Sequence, residues 1–313
     1  MRAVGVTEFG GPETLRIVDV PEPHAGPGEV RIRVHAAAVN PSDLALRAGM
    51  RAGALRQPPP YVPGWDAAGV VDEVGEGTGG HRVGDAVMAV VQPFGPRGGA
   101  CADHVVVPAE SAVPIPAGAD VVAAATLPMN GLTAWLALER LALPSGSTLA
   151  VTGAAGIFGG YVVQLAKAAG VRVIADAAAR DEDLVHRLGA YQIVRRGDDV
   201  AQWIRALVPH GVYAVADGAV LDERVVPAVR DGGGLAVLRG WDGDPGRGIA
   251  VHKIMVGTAA RNTAALDELR RHAEDGTLTL RVARTFRPEE AAEAHRMLEA
   301  GGVRGRIVLD FRD

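Results

Sequence analysis

Residues 151–170, VTGAAGIFGGYVVQLAKAAG, place glycines at 153, 156, 159 and 160 between two apolar stretches. The stretch before them, STLAVTG, reads as a buried strand, and the stretch after them, YVVQLAKAAG, reads as a helix. A helix start carries unpaired N–H groups and the positive end of the helix dipole. Glycines let a phosphate approach that backbone closely. Gly153, Ala154, Gly156, Ile157, Phe158 and Gly159 are therefore the candidate phosphate cradle. No Gly-Lys-Ser/Thr follows, so the turn offers neither a lysine for a γ-phosphate nor a hydroxyl for magnesium. The spacing is Gly-x-x-Gly-x-x-Gly, and on the motif alone a ligand-free strand-to-helix turn stays open.

The surrounding elements decide what such a turn could serve. VRVIAD reads as a second strand ending at Asp176, about 20 residues beyond Gly156, where a dinucleotide fold places the group that meets the adenosine ribose. EDLVHRLGA and DVAQWIRALVP read as helices, and YQIVRR, VYAVADG and GGLAVLRG as further strands. Strand–helix alternation with short connections predicts a doubly wound parallel sheet. Leu238 and Arg239 end a late strand of that sheet, on the edge where ligands of such folds bind. Arg239 is there either as a phosphate partner or as an exposed surface charge.

Residues 1–120 differ. EVRIRVHAAAV, AAGVVDEVGEG, DAVMAVV and ADHVVVPAESAVPIP read as strands separated by Gly- and Pro-rich turns, with no long helical pattern. DVVAAATLPMNGLTAWLALERLAL reads as helix broken near Pro128, and TAALDELRRHAEDG and PEEAAEAHRMLEAGG are amphipathic helices before a closing strand, GRIVLDF. Apolar residues make up 48% and charged residues 22% of the 313, the composition of a soluble globular chain. A formal charge of −5 and the lack of basic runs argue against a nucleic-acid partner. Cys101 is the only cysteine, which excludes an internal disulfide and a multi-cysteine zinc site. No signal-like stretch and no uninterrupted apolar run of membrane-spanning length is read, so a cytoplasmic protein without a membrane partner is expected.

The chain resembles the medium-chain dehydrogenase/reductase superfamily, in its zinc-free quinone oxidoreductase branch. EFGGPETLRIVDVPEP, VRIRVHAAAVNPSDLALRAG, PPPYVPGWDAAGVVDEVG, LPMNGLTAW, the glycine turn and AAEAHRMLEAGGVRGRIVL carry the resemblance, in order and at matching spacing over nearly the whole chain. It implies an α/β protein with a GroES-like β-rich domain over 1–120 and 264–313 and a Rossmann dinucleotide-binding domain over 121–263. It implies a substrate pocket faced by Asn40 and Asp43, with Asn130 and Thr133 near the nicotinamide and Arg304 near the adenosine end. Asp43 and Thr133 also suit helix capping. Zinc-dependent relatives carry Cys and Gly-His-Glu where this chain has Asn40 and Gly64-Trp65-Asp66, so no metal is expected and Asp66 reads as a structural carboxylate. Ala45 stands where many relatives have a tyrosine. Tyr61 or His104 is a substitute donor or a packing residue.

An NAD(P)H-dependent transfer of hydride to a quinone or other conjugated carbonyl follows from the resemblance. A pathway-specific enoyl reductase, and a cofactor-binding sensor or partner protein with little turnover, are the alternatives. The cofactor signals conflict. Arg180 suits the 2′-phosphate of NADP(H), whereas a carboxylate at Asp176 suits the ribose diol of NAD(H); the family tilts the choice to NADP(H). Phe158, Tyr61 and Trp65 are read either as a flat wall for a ring or as ordinary packing. A homodimer is expected through the edge formed by GGLAVLRGW and IAVHKIMVG.

Overall fold

The computed structural model describes residues 1–312. They divide into two compact units: Met1–Met129 with Ala260–Asp275 and the stretch from Leu280 onward, and Asn130–Ala259 with Gly276–Thr279.

The first unit begins with strands β1 (Arg2–Gly5), β2 (Arg16–Asp19) and β3 (Glu29–Val39), helix α1 (Pro41–Arg47), then β4 (Asp66–Val74), β5 (Ala86–Val90), β6 (His104–Pro108) and β7 (Ala112–Pro114). β3 shows why the strands form. Val30, Ile32 and Val34 are buried while Arg31, Arg33 and His35 alternate outward, and Ala36–Val39 are buried on both faces. The apolar stretch Val121–Leu141 is long and apolar enough to cross a membrane by length and composition, yet it is 72% buried inside the protein. It is split into α2 (Val121–Ala124) and α3 (Pro128–Leu141), the break falling before Pro128, which lacks an N–H to continue a helix but suits a first turn.

The second unit follows as β8 (Thr148–Thr152), α4 (Ile157–Ala168), β9 (Arg172–Ala177), α5 (Glu182–Leu188), β10 (Gln192–Arg195), α6 (Val200–Leu207), β11 (Val212–Asp217), β12 (Val229–Val237) and β13 (Ala250–Lys253). Its sheet has the order β10-β9-β8-β11-β12-β13, and every pair is parallel. This is the doubly wound order, with the chain reversing its direction of travel between β8 and β11. The edge on one side is β13 alone. β12, expected from the sequence to share that edge, is covered on both sides.

The chain then returns to the first unit with α7 (Thr263–Glu274), β14 (Val282–Phe286), α8 (Ala291–Glu299) and β15 (Arg306–Asp310). β15 pairs antiparallel with β3, Val308 opposite Ala38, and completes the seven-stranded sheet β14-β15-β3-β4-β5-β7 with β6 on β3. The protein is thus a mixed α/β chain with a β-rich unit and a parallel-sheet unit.

Candidate functional site

The glycine turn lies at the carboxyl end of β8, beside the reversal in strand order. Gly153 has φ +65°, and a Cβ there would lie 2.9 Å from the Gly218 carbonyl carbon. Gly156 is the N-cap of α4, no side chain caps the helix, and its N–H donates to the Gly153 carbonyl at 2.9 Å. A Cβ on Gly159 would lie 2.4 Å from the same carbonyl oxygen. Ile157, Phe158 and Gly159 form the open first turn, with N–H groups that have no partner inside the helix. Phe158 is buried, and a Cβ on Gly218 would meet its ring at 2.9 Å. That ring packs on the backbone after β11.

β9 runs one residue past the expected end, to Ala177. Asp176 is therefore penultimate, in a strand buried on both faces from Val173 to Ala177. The residue is 2% exposed. Its Oδ1 accepts from the Ala154 N–H at 3.1 Å, and Oδ2 is buried with no partner among the described residues. Burial raises its pKa, opposed by the Ala154 and Gly153 N–H groups and by Arg196. Asp176 thus braces the glycine turn from beneath. The expectation of a carboxylate presented at the strand end is corrected.

The same edge carries three exposed arginines. Arg180 sits in the short turn Ala179–Asp181. Arg195 closes β10 opposite Ala177, and the Arg196 N–H donates to the Ala177 carbonyl at 3.0 Å. The sequence reading singled out Arg180 alone. The doublet ending YQIVRR was the available signal, and it needed the β9–β10 pairing to acquire meaning.

In the first unit a second cluster is fully buried. Asn40 caps α1 and its Nδ2 donates to Asp66 Oδ2 at 2.8 Å. Asp43 Oδ2 accepts from the Asn40 N–H at 2.8 Å and Oδ1 from the Gly64 N–H at 3.0 Å. Asp66 Oδ1 accepts from the Met129 N–H at 2.6 Å, at the start of α3, and Arg306 of β15 lies 3.5 Å from Asp66 Oδ2. Asp43, 1% exposed, has both oxygens committed to backbone, so it shapes the turn and is not a substrate-facing group. This is the capping alternative, and Asn40 is equally buried.

Burial pushes Asp43 up to about 7, more than its two N–H donors and Arg306 pull it down. Asp66 is raised for the same reason, with Arg306 opposing. A raised folded pKa stabilises the protonated state, so this stability is complete below the ordinary carboxylate value near about 4 and is lost as pH rises through about 7. Urea unfolding at pH 5 and pH 8 should therefore show roughly 2 kcal/mol less stability at the higher pH from Asp43 alone. An Asp43→Asn variant should flatten that dependence; an unchanged slope would remove Asp43 as its origin.

The remaining candidates are dispersed. Tyr61 is partly buried and stacks on Phe9, with ring centroids 5.0 Å apart. Trp65 meets Phe94 edge-on at 5.8 Å, its indole N–H buried and unpartnered among the described residues. Thr133 is buried and, like Asn130, lies inside α3, so Thr133 is not an N-cap. Leu238 and Arg239 follow β12, with Arg239 exposed. Arg304 precedes β15 and donates to the Val303 carbonyl at 3.2 Å. His104 Nε2 lies 3.1 Å from Asp72.

Among the described residues no group of three or more His, Cys, Asp and Glu side chains could hold a metal ion. The amide of Asn40, the indole of Trp65 and the fully engaged carboxylate of Asp66 do not fit a zinc site.

Residues 26–117 match the alcohol dehydrogenase GroES-like domain family and residues 188–309 the zinc-binding dehydrogenase family. A chloroplastic quinone-oxidoreductase of Triphysaria versicolor is 36% identical over 201 residues, covering 62% of this chain and 60% of that protein. The match thus spans less than two thirds of that curated relative. A solved NAD-dependent alcohol dehydrogenase is 31% identical, with TM-score 0.87 and full coverage of both chains. A mycobacterial protein solved with NADPH is 28% identical, with TM-score 0.88 over 99% of this chain and 100% of that one. The chain belongs to the medium-chain dehydrogenase/reductase superfamily.

Proposed function

We propose that the protein is an NAD(P)H-dependent oxidoreductase that passes hydride to a quinone or an α,β-unsaturated carbonyl, with NADP(H) the preferred cofactor. The observation that carries this reading is the carboxyl edge of the parallel sheet, where the uncapped start of α4 and three exposed arginines stand together. The N–H groups of Ile157, Phe158 and Gly159 suit a pyrophosphate. Arg180, Arg195 and Arg196 suit a 2′-phosphate, which planar guanidinium groups bind through paired hydrogen bonds. Asp176, turned beneath the turn, makes no claim on the ribose. When bound, the nicotinamide supplies the hydride. The residues at Asn40, Trp65 and Asp66 provide no ligand set for a Lewis acid, which suits an acceptor that is already electrophilic. The name of the Triphysaria relative supports the quinone class, and the mycobacterial NADPH complex supports the cofactor.

The test is a pair of fluorescence titrations with NADPH and NADH, followed by cofactor oxidation in the presence of a generic quinone and a simple enone. Replacing Arg180, Arg195 and Arg196 together with glutamine should weaken NADPH binding about ten- to a hundredfold, the scale of losing hydrogen bonds to a charged group, and leave NADH within about twofold. Asp176→Asn should leave the preference between the two cofactors unchanged. Tight NADH binding that Asp176→Asn abolishes would reverse the assignment. The burial of Asn40 and Asp43 favours one other reading, a cofactor-binding protein with little turnover. NADPH binding without oxidation by either acceptor would select it.

A further inference from the structure

We propose that a cavity at the bulge of β3 in the first unit is an oxyanion site, for a small molecule bearing a carboxylate or phosphate group. The cavity measures about 370 Å³ and is lined by Arg2, Arg33, His35, His104, Phe311 and Arg312 among others. That volume lies in the range of small-ligand sites.

The backbone builds it from four segments. The β3–β4 register slips between Val34 and Ala36, so His35 is the extra residue of a bulge; bulges re-aim side chains. The pairing of β3 with β6 stops at Arg33 opposite His104. The Val34 N–H donates to the Asp103 carbonyl at 2.9 Å, the Asp103 N–H to the Arg2 carbonyl at 3.0 Å and the Phe311 N–H to the His35 carbonyl at 2.8 Å. The N-terminal strand, the bulge, the start of β6 and the end of β15 therefore border one open pocket.

Its charges are unevenly matched. Arg2 pairs with Asp103 at 3.4 Å and Glu289 at 3.5 Å. Arg312 pairs with Asp310 at 2.7 Å and Asp120 at 3.5 Å, and His104 with Asp72 at 3.1 Å. Arg33 and the His35 ring have no side-chain partner among the described residues. Arg33 thus keeps its whole fork of donors for a ligand, and such a fork binds an oxyanion through two parallel bonds. Arg2 and Arg312 flank it. Phe311 supplies an apolar wall for the body of the molecule. The His35 pKa is held below its ordinary value by burial, then by Arg33 and Arg312, with Asp310 opposing. An anion between those arginines would relieve the repulsion and let His35 take up a proton more readily.

His35 therefore reports occupancy. The full chain, labelled at histidine, would be followed by NMR with the His35 ring resonance assigned from a His35→Gln variant. Inorganic phosphate and citrate would be titrated separately, each against sodium chloride at matched ionic strength. The expected result is a saturable shift of His35 and a raised pKa with at least one oxyanion. Phosphate alone would point to phosphate esters, citrate alone to carboxylates. Arg33→Gln should abolish the response and leave NADPH binding unchanged. A shift equal to that of chloride, no saturation by tens of millimolar, or the same response in Arg33→Gln would each overturn the site.

Discussion

Replacing Gly159 with valine is expected to weaken NADPH binding about a hundredfold, the cost of moving a binding group by about 1 Å. Gly159 is helical, so the conflict is one of space alone. A Cβ at this position would lie 2.4 Å from the Gly153 carbonyl oxygen and 2.8 Å from the Ala154 Cα. Neither atom can retreat. Gly153 is held at φ +65° with the Gly218 backbone against it, and Asp176 grips the Ala154 N–H from below. The start of α4 must move instead, and its N–H groups move with it. Gly156→Ala, whose Cβ would lie 3.1 Å from the Gly153 oxygen, should lose less. Gly79→Ala, with open space around it and no positive φ, should lose nothing. Titration of the three variants, with circular dichroism to confirm the fold, checks the order. Valine at 159 binding NADPH within about threefold of the parent would mean that the turn does not hold the phosphates.

The parallel sheet was legible because each strand is a short apolar run between helical patterns, and the turn at 153–159 because glycine spacing is local. What escaped the sequence was set by distance along the chain. Asp176 sits in a strand buried from Val173 to Ala177, and its hydrogen bond to the Ala154 N–H depends on the glycine turn packed against it, which the strand's own sequence does not announce. The arginine doublet at 195–196 carries no periodic signal; it becomes part of the site only because β10 pairs with β9. Capping by Asp43 was one of two readings its residue type offered, and the structure adds the capping box with Asn40. That both its oxygens are taken by backbone depends on Gly64, which the α1 sequence does not announce. Asp66 was read as structural, but its counter-charge, Arg306, comes from the last strand and could be found only once β15 lay beside β3.

That long-range pair yields the largest expected loss of stability. Arg306→Met should destabilise the protein by about 3 kcal/mol, because it strands a buried carboxylate without its cation. Asp66 is 0% exposed and Arg306 5%, so water cannot replace the missing charge. Asn40 and the Met129 N–H would still donate to Asp66, but burial already outweighs all its partners in raising its pKa. Losing Arg306 raises that pKa further. A raised folded pKa gives stability that is present at low pH and lost as pH rises through it, so the variant should be more damaged at pH 8 than at pH 5. Adding Asp66→Asn removes the stranded charge and keeps an oxygen for the Met129 N–H, and the double variant should recover most of the loss. Urea midpoints of the single and double variants at the two pH values decide the matter. A loss below about 1 kcal/mol, or one independent of pH, would mean that Arg306 acts by packing alone. The 3.5 Å separation of the pair makes it a charge contact more than a directed hydrogen bond. Its role is then to hold β15 at the register where a positive group opposes the burial that raises the Asp66 pKa, while Asp66 Oδ1 fixes the start of α3 through the Met129 N–H.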